Sequence, residues 1–195
     1  MNIEKKLILN IFNQDKSDKK YLKGIPNNCF GVFVTVRRGQ KLKTWPIDIH
    51  GCIGYWDTNY KILEKEEIYD RLLSVGKSAM FDDKRREYFS AIETDKKALV
   101  EIDFMMKPLY NIDSTTGMVK ELKIQFDNNR FGLIVDGPSR ATYLPKVFPK
   151  ISWQDIKLEL LSKAGIKQIN GHSQLKFYAY EIKQKKIKIS DVLIQ

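Results

Sequence analysis

Apolar residues recur along this chain with two different periods, and the period decides which element each stretch can form. Ile3, Leu7, Ile8 and Ile11 stand at helical spacing with lysines on the other side, which predicts an amphipathic helix over the first dozen residues. Residues 13–28, polar and ending in Gly24-Ile25-Pro26-Asn27-Asn28, read as loop and turn. Phe30 to Val36 is β-branched and aromatic and apolar on both faces, as a central strand is. A second strand is expected over Ile47 to Tyr55, where Gly51 and Gly54 mark a bulge or a close backbone approach. Ile68, Leu72, Val75 and Ala79 then follow at i, i+4, i+7 and i+11 and predict a helix over 64–80, with Glu64, Glu66 and Glu67 at its positive end.

From Leu99 to Met105 apolar and acidic residues alternate, so Glu101 and Asp103 are expected on one face of a strand. Further strands are predicted over 119–126, 131–135 and 141–144, with Asp127-Asn128-Asn129 turning between the first two. Ser152 opens a helix by a capping arrangement with Asp155. Trp153, Ile156, Leu160 and Ala164 form its buried stripe, and Gly165 stops it. A last long strand is expected over 175–182. Without regular βαβ alternation, these elements predict an α+β fold with a mainly antiparallel sheet. A single domain over residues 1–195 is expected, with 82–97 as the place for any division into lobes.

Composition changes this picture in two respects. Two cysteines, Cys29 and Cys52, cannot supply a disulfide scaffold or a four-cysteine zinc site, which points to an intracellular, reducing compartment, cytoplasm or nucleus. No apolar run is long enough to span a membrane, and no targeting signal is legible. The net charge of +10 suits an anionic partner such as nucleic acid. Of the 34 basic residues only seven are arginines, the side chain that reads phosphate and bases with two parallel bonds, so the charge argues weakly for that partner. Arg37, Arg38, Lys41 and Lys43, and later Lys183, Lys185, Lys186 and Lys188, form two basic clusters of the kind that is usually solvated surface. Tyr178 and Tyr180, two apart on a strand, are the candidates for stacking bases.

The chemistry-bearing residues are few. No Walker loop, dinucleotide fingerprint or HExxH is present, so no cofactor is assigned. His50 and Cys52 stand two apart on a strand and are expected to project from one face, with Gly51 and Gly54 leaving the backbone beside them open to a ligand. Cys52 is then a candidate nucleophile or ligand contact, with His50 as the neighbour that favours its thiolate, or else an ordinary buried cysteine. A metal centre would need Cys29, His172 or carboxylates at no diagnostic spacing, and none is predicted. Glu101 is the candidate polar partner: with Asp103 it forms either a paired-carboxylate site or a solvated strand face.

Phe30 to Arg38 followed by His50-Gly51-Cys52-Ile53-Gly54 resembles the paired signature of the AMMECR domain family, whose hallmark is Leu-Arg-Gly-Cys-Ile-Gly. The likeness continues in order through Ala79-Met80-Phe81-Asp82-Asp83, Val100-Glu101-Ile102, Gly132-Leu133-Ile134-Val135, Leu144-Pro145-Lys146-Val147, Trp153, Lys163-Ala164-Gly165 and Lys176-Phe177-Tyr178. It implies a barrel-like sheet with flanking helices in two lobes, and a cleft lined by the hallmark. Carried onto this sequence, the cleft residues are Gly51, Cys52, Ile53 and Gly54, with His50 and Lys146 beside them. The resemblance further implies association with Memo-type or radical-SAM proteins. Three positions depart from the family pattern: His50 replaces the hallmark arginine, Lys146 replaces a glutamine, and the usual Asp-Pro-Arg-Phe is Asp83-Lys84-Arg85-Arg86. Three functions follow as expectations: a small-ligand or enzymatic cleft, a protein-interaction adaptor, and a basic nucleic-acid-binding protein.

Overall fold

The apolar run after Asn28 forms strand β1 (Cys29–Arg37), and the glycine-punctuated segment forms β2 (Ile49–Trp56), paired antiparallel to it. This computed structural model describes residues 19–38, 48–85, 97–148, 150–167 and 175–193. The expected N-terminal helix, Lys41, Lys43, His172 and most of the 82–97 segment lie outside the described residues. Helix α1 (Lys65–Phe81) follows, then β3 (Leu99–Ile112), β4 (Met118–Val119), β5 (Ile124–Gln125), β6 (Gly132–Asp136) and β7 (Ala141–Tyr143). Helix α2 (Trp153–Lys163), β8 (Lys176–Lys188) and the short α3 (Ser190–Leu193) follow, and a short 3-10 helix, Lys19–Gly24, precedes β1 in the stretch expected to be loop and turn. Strands run in the order β2-β1-β3-β8-β6-β7, with β4 paired to β3 and β5. The fold is α+β and its sheet mainly antiparallel.

By compactness the chain divides into two units, Met1–Met105 with Lys183–Gln195, and Met106–Ile182. In the first, directly opposed residues of β1 and β2 share a face, so the register decides which side chains meet α1. Val32, Val34 and Val36 pair with Tyr55, Ile53 and Gly51. This is the α1 side: Arg71 of α1 lies over the Tyr55 ring at 4.0 Å, and the helix stripe Ile68, Leu72, Val75 and Ala79 is buried. Gly31, Phe33, Thr35 and Arg37 of β1, with Trp56, Gly54 and Cys52 of β2, occupy the opposite face.

The second unit has its own core around Phe131, Leu133, Val135, Ile156, Leu160 and Phe177. Ser152 caps α2 as its sequence implies, its Oγ accepting from the Asp155 N–H, and Gly165 ends it at φ +74°. Leu161 is buried in the helix stripe, while Ala164 and Trp153 are half-buried against the core. The strand expected over 119–126 is instead a tight hairpin: β4 and β5 hold two residues each, and Lys123 takes φ +55° in the turn between them. The last strand extends well past residue 182, where Lys186 and Gln184 find the carboxylates of Glu101 and Asp103 on β3. Tyr180 is fully buried, its hydroxyl bonded to Thr142 and Tyr143, which corrects its expected role as a base-stacking residue. Among the described residues no helix is long and apolar enough to cross a membrane.

Candidate functional site

Period-two alternation fails where it mattered most, between His50 and Cys52. The pairing runs Val36 to Gly51 and then Arg37 to Ile49, leaving His50 as an extra residue on β2. Such a bulge aims two successive side chains toward one side. Gly51 therefore faces α1, where an added Cβ would lie 1.9 Å from the Ala79 carbonyl oxygen. His50 follows it, with Nε2 3.0 Å from the Met80 carbonyl oxygen and Nδ1 3.0 Å from Arg38 Nη2. A guanidinium only donates, so Nδ1 accepts from Arg38 and Nε2–H donates to Met80. Buried at 3% exposure, His50 holds β2 to the end of α1 and does not share a face with Cys52. The expected pairing of imidazole and thiol is thereby corrected.

The two glycines also differ from expectation. Gly51 lets the α1 backbone pack close, and the space a Gly54 side chain would occupy is filled by the Phe33 ring, 2.2 Å from the added Cβ. Both serve packing, so neither leaves backbone open to a ligand. Ile53 lies on the α1 side with Val34. Lys146, in the second unit, is exposed in a turn at φ +66°, its N–H donating to the Asn128 carbonyl. Cys29 is sealed in the first unit's core, and burial pushes its thiol up to about 11.

Cys52 stands on the face away from α1, half-buried, with Thr35 Oγ1 donating to its Sγ at 3.1 Å. That face is polar. Arg37 Nε donates to Glu101 Oε2 at 2.7 Å and Nη1 to Asp48 Oδ1 at 2.8 Å, and Lys186 Nζ reaches Glu101 Oε1 at 2.6 Å. Asp103, two residues along β3, shares the face, and its Oδ1 accepts from Gln184 Nε2 at 2.7 Å. Thr35, Cys52, Arg37, Glu101, Asp103, Gln184 and Lys186 are thus collected by four neighbouring strands of one unit. Contrary to the solvated-face reading, Glu101 and Asp103 are 4% and 3% exposed.

Their environments push the two carboxyls apart. Burial alone would raise Glu101, but its bonds to Lys186 and Arg37 outweigh that and hold it below the usual range. Among the described residues the hydrogen-bond partner of Asp103 is a neutral amide; burial lifts Asp103 to about 6, with the Glu101 charge adding to the rise and Lys186 and Arg37 opposing it.

A second cluster supports Cys52 from its backbone. Asp83 Oδ2 accepts from the Cys52 N–H at 3.0 Å, while Arg85 Nη2 donates to the Cys52 carbonyl at 3.2 Å and to Asp83 Oδ2 at 2.6 Å. Arg85 Nε closes the fork on Asp83 Oδ1 at 2.9 Å. Burial opposes ionisation of Asp83, yet Arg85 and the Arg85 and Cys52 N–H groups bring it down to about 2. Asp83 and Arg85 are the positions of the Asp-Pro-Arg-Phe segment that keep the family's residues, and sequence pattern alone assigns them no role. Among the described residues no group of three or more His, Cys, Asp or Glu is placed to hold a metal ion.

The fold and this motif-bearing edge strand define an α+β chain with a cysteine held between a packed helix and a polar sheet face. A family model, AMMECR1, matches residues 3–185, nearly the whole chain. The chain belongs to the AMMECR1 family. The crystal structure of an uncharacterised protein, PH0010 from Pyrococcus horikoshii, shares the fold at a TM-score of 0.58 and 17% identity, over 94% of this chain and 87% of that one. No curated protein matches the chain.

Proposed function

We propose that the polar face of the first unit is a small-ligand site and that Cys52 supplies its reactive atom. The observation that carries this is the position of Cys52. Its thiol is half-buried on a face of buried, oppositely tuned carboxyls, while its N–H and carbonyl are both tied to the Asp83–Arg85 pair. A thiol that only filled space would belong among apolar neighbours, as Cys29 does. The Thr35 hydroxyl donates to Sγ and so favours the thiolate, the nucleophilic form. Asp103, titrating at about 6, is suited to exchange a proton near neutral pH. Partner proteins of the Memo or radical-SAM type remain an expectation of the family; they would supply or consume what this face binds.

The test is a metabolite library screened by ligand-observed NMR. Hits belonging to this face lose their signal in Cys52→Ala and Asp103→Asn and keep it in Leu158→Ala, a change at an exposed residue of the second unit. Hits indifferent to both face substitutions would place binding elsewhere and end the proposal.

A further inference from the structure

Among the described residues, one buried carboxylate of the polar face, Asp103, stands outside the ion pairs made there. The described cations of the face are Arg37, Lys186 and, two residues further along β8, Lys188; its described carboxylates are Asp48, Glu101 and Asp103. Arg37 is shared between Asp48 and Glu101, and Lys186 also goes to Glu101, so among the described residues the ion pairs of the face are made without Asp103. Asp103 is buried, and among the described residues its hydrogen-bond partner is the amide of Gln184, at Oδ1. An ionised carboxylate held this deep without a cation is costly, and a fold that only needed packing here would be better served by a neutral residue.

We propose that the ligand of this face is cationic, a small molecule bearing an amine or amidine whose N–H groups bind Asp103 while the rest of it lies toward Cys52. This rests on reading the face as a ligand site and names the class of ligand it takes. β1 alone separates β2 from β3, so Cys52 and Asp103 lie at least two strand spacings, about 10 Å, apart across the sheet, within the span of a small molecule. Thr35, opposite Cys52 on β1, lines the shared face. Arg37 and Lys186 flank the site and repel a cation only weakly, because each is already bonded to Glu101. With a net charge of +10, the protein at large favours anions. Preference for a cation at this one place must therefore come from the face itself, and it depends on Asp103 being ionised.

The prediction can be read without knowing the natural ligand, by modifying Cys52 with two probes that share an ethyl arm and carry opposite charge. In a Cys29→Ser background, 2-aminoethyl and 2-sulfonatoethyl methanethiosulfonate each form a mixed disulfide with the Cys52 thiolate and release methanesulfinate. The ratio of the two rates, divided by the same ratio for a free thiol such as 2-mercaptoethanol at the same pH, cancels the thiolate fraction and the reagents' own reactivities and leaves the electrostatics of the face. At low ionic strength and pH 8 the cationic reagent should win by about fivefold or more, a single charge at this range acting through a partly exposed face. The ratio should fall as the pH drops through about 6, where Asp103 takes up its proton. In Asp103→Asn it should be flat with pH and at or below unity. The wild-type pH profile carries the same test without relying on a variant. A ratio near unity at pH 8, or one unchanged by Asp103→Asn, overturns the cationic ligand while leaving the site. Failure of both reagents to modify Cys52 in the folded protein overturns the site and the ligand together.

Discussion

Asp103→Asn should make this protein more stable at neutral pH, the reverse of what removing a buried hydrogen-bonded residue usually does. In the unfolded chain the carboxyl titrates at its ordinary 3.8, and in the folded protein at about 6, raised by burial first and by Glu101 second. A carboxyl whose folded pKa is raised contributes stability that is fully present below 3.8. That contribution is lost as the pH climbs to about 6, because the folded state must give up a proton it holds more tightly than the unfolded state does. At about 1.4 kcal/mol per pH unit, the difference between 3.8 and about 6 corresponds to a loss of about 3 kcal/mol. Asparagine keeps an acceptor for Gln184 and carries no charge, but its amide hydrogens lack partners at a cost of about 1 kcal/mol. A net gain of about 2 kcal/mol at pH 8 is expected, shrinking to nothing or turning negative at pH 3.5. Urea unfolding of both proteins at the two pH values, followed by far-UV circular dichroism, measures it. An asparagine variant that is less stable at pH 8, or one whose difference does not change between pH 3.5 and 8, would refute the reasoning. If the gain is found, it means the chain keeps an ionisable group against its own stability, which is what a binding or catalytic group requires.

Three further outcomes are expected. Gly51→Ala places a methyl 1.9 Å from the Ala79 carbonyl and should cost about 3 kcal/mol, seen as a lowered thermal midpoint. Gly165→Ala, at φ +74° with nothing within 4 Å, should cost only about 1 kcal/mol, and equal losses would contradict the packing argument. Asp83→Asn leaves Arg85 without its carboxylate and should lose about 1–3 kcal/mol at pH 7. Because Asp83 is held at about 2, its contribution is present above 3.8 and disappears as the pH falls toward 2, so wild type and variant should converge in acid. His50→Ala should destabilise the β2–α1 contact and leave the pH profile of Cys52 alkylation where it was, since the two side chains lie on opposite faces; a displaced profile would restore their coupling.

The elements that local pattern determines are legible in the amino-acid sequence. The β-branched run of β1, the stripe of α1 and the Ser152 cap each depend on residues within a few positions of one another. The family, too, is readable, from short motifs in fixed order. What escapes is set by pairing at a distance. The bulge that turns His50 away from Cys52 comes from how β2 meets β1, and alternation along one strand carries no sign of it. Arg37 meets Glu101 from 64 residues away, and Gln184 meets Asp103 from 81. For that reason the lysine-rich end of β8 reads as solvated surface, and Asp83 and Arg85 read as part of a departure from a motif. Only Arg85, a fork that fits a carboxylate, offers a local hint of the clamp at Cys52.

The central claim, that Cys52 sits on an open working face of the folded protein, is tested most directly by its alkylation rate across a denaturant series. In the Cys29→Ser background, iodoacetamide at fixed pH should modify Cys52 at a rate that is flat with guanidinium chloride until the unfolding transition begins, because the thiol is reached from the native state. A rate that is negligible in buffer and climbs in proportion to the unfolded fraction would mean that Cys52 is sealed in the native protein, and the site would be contradicted.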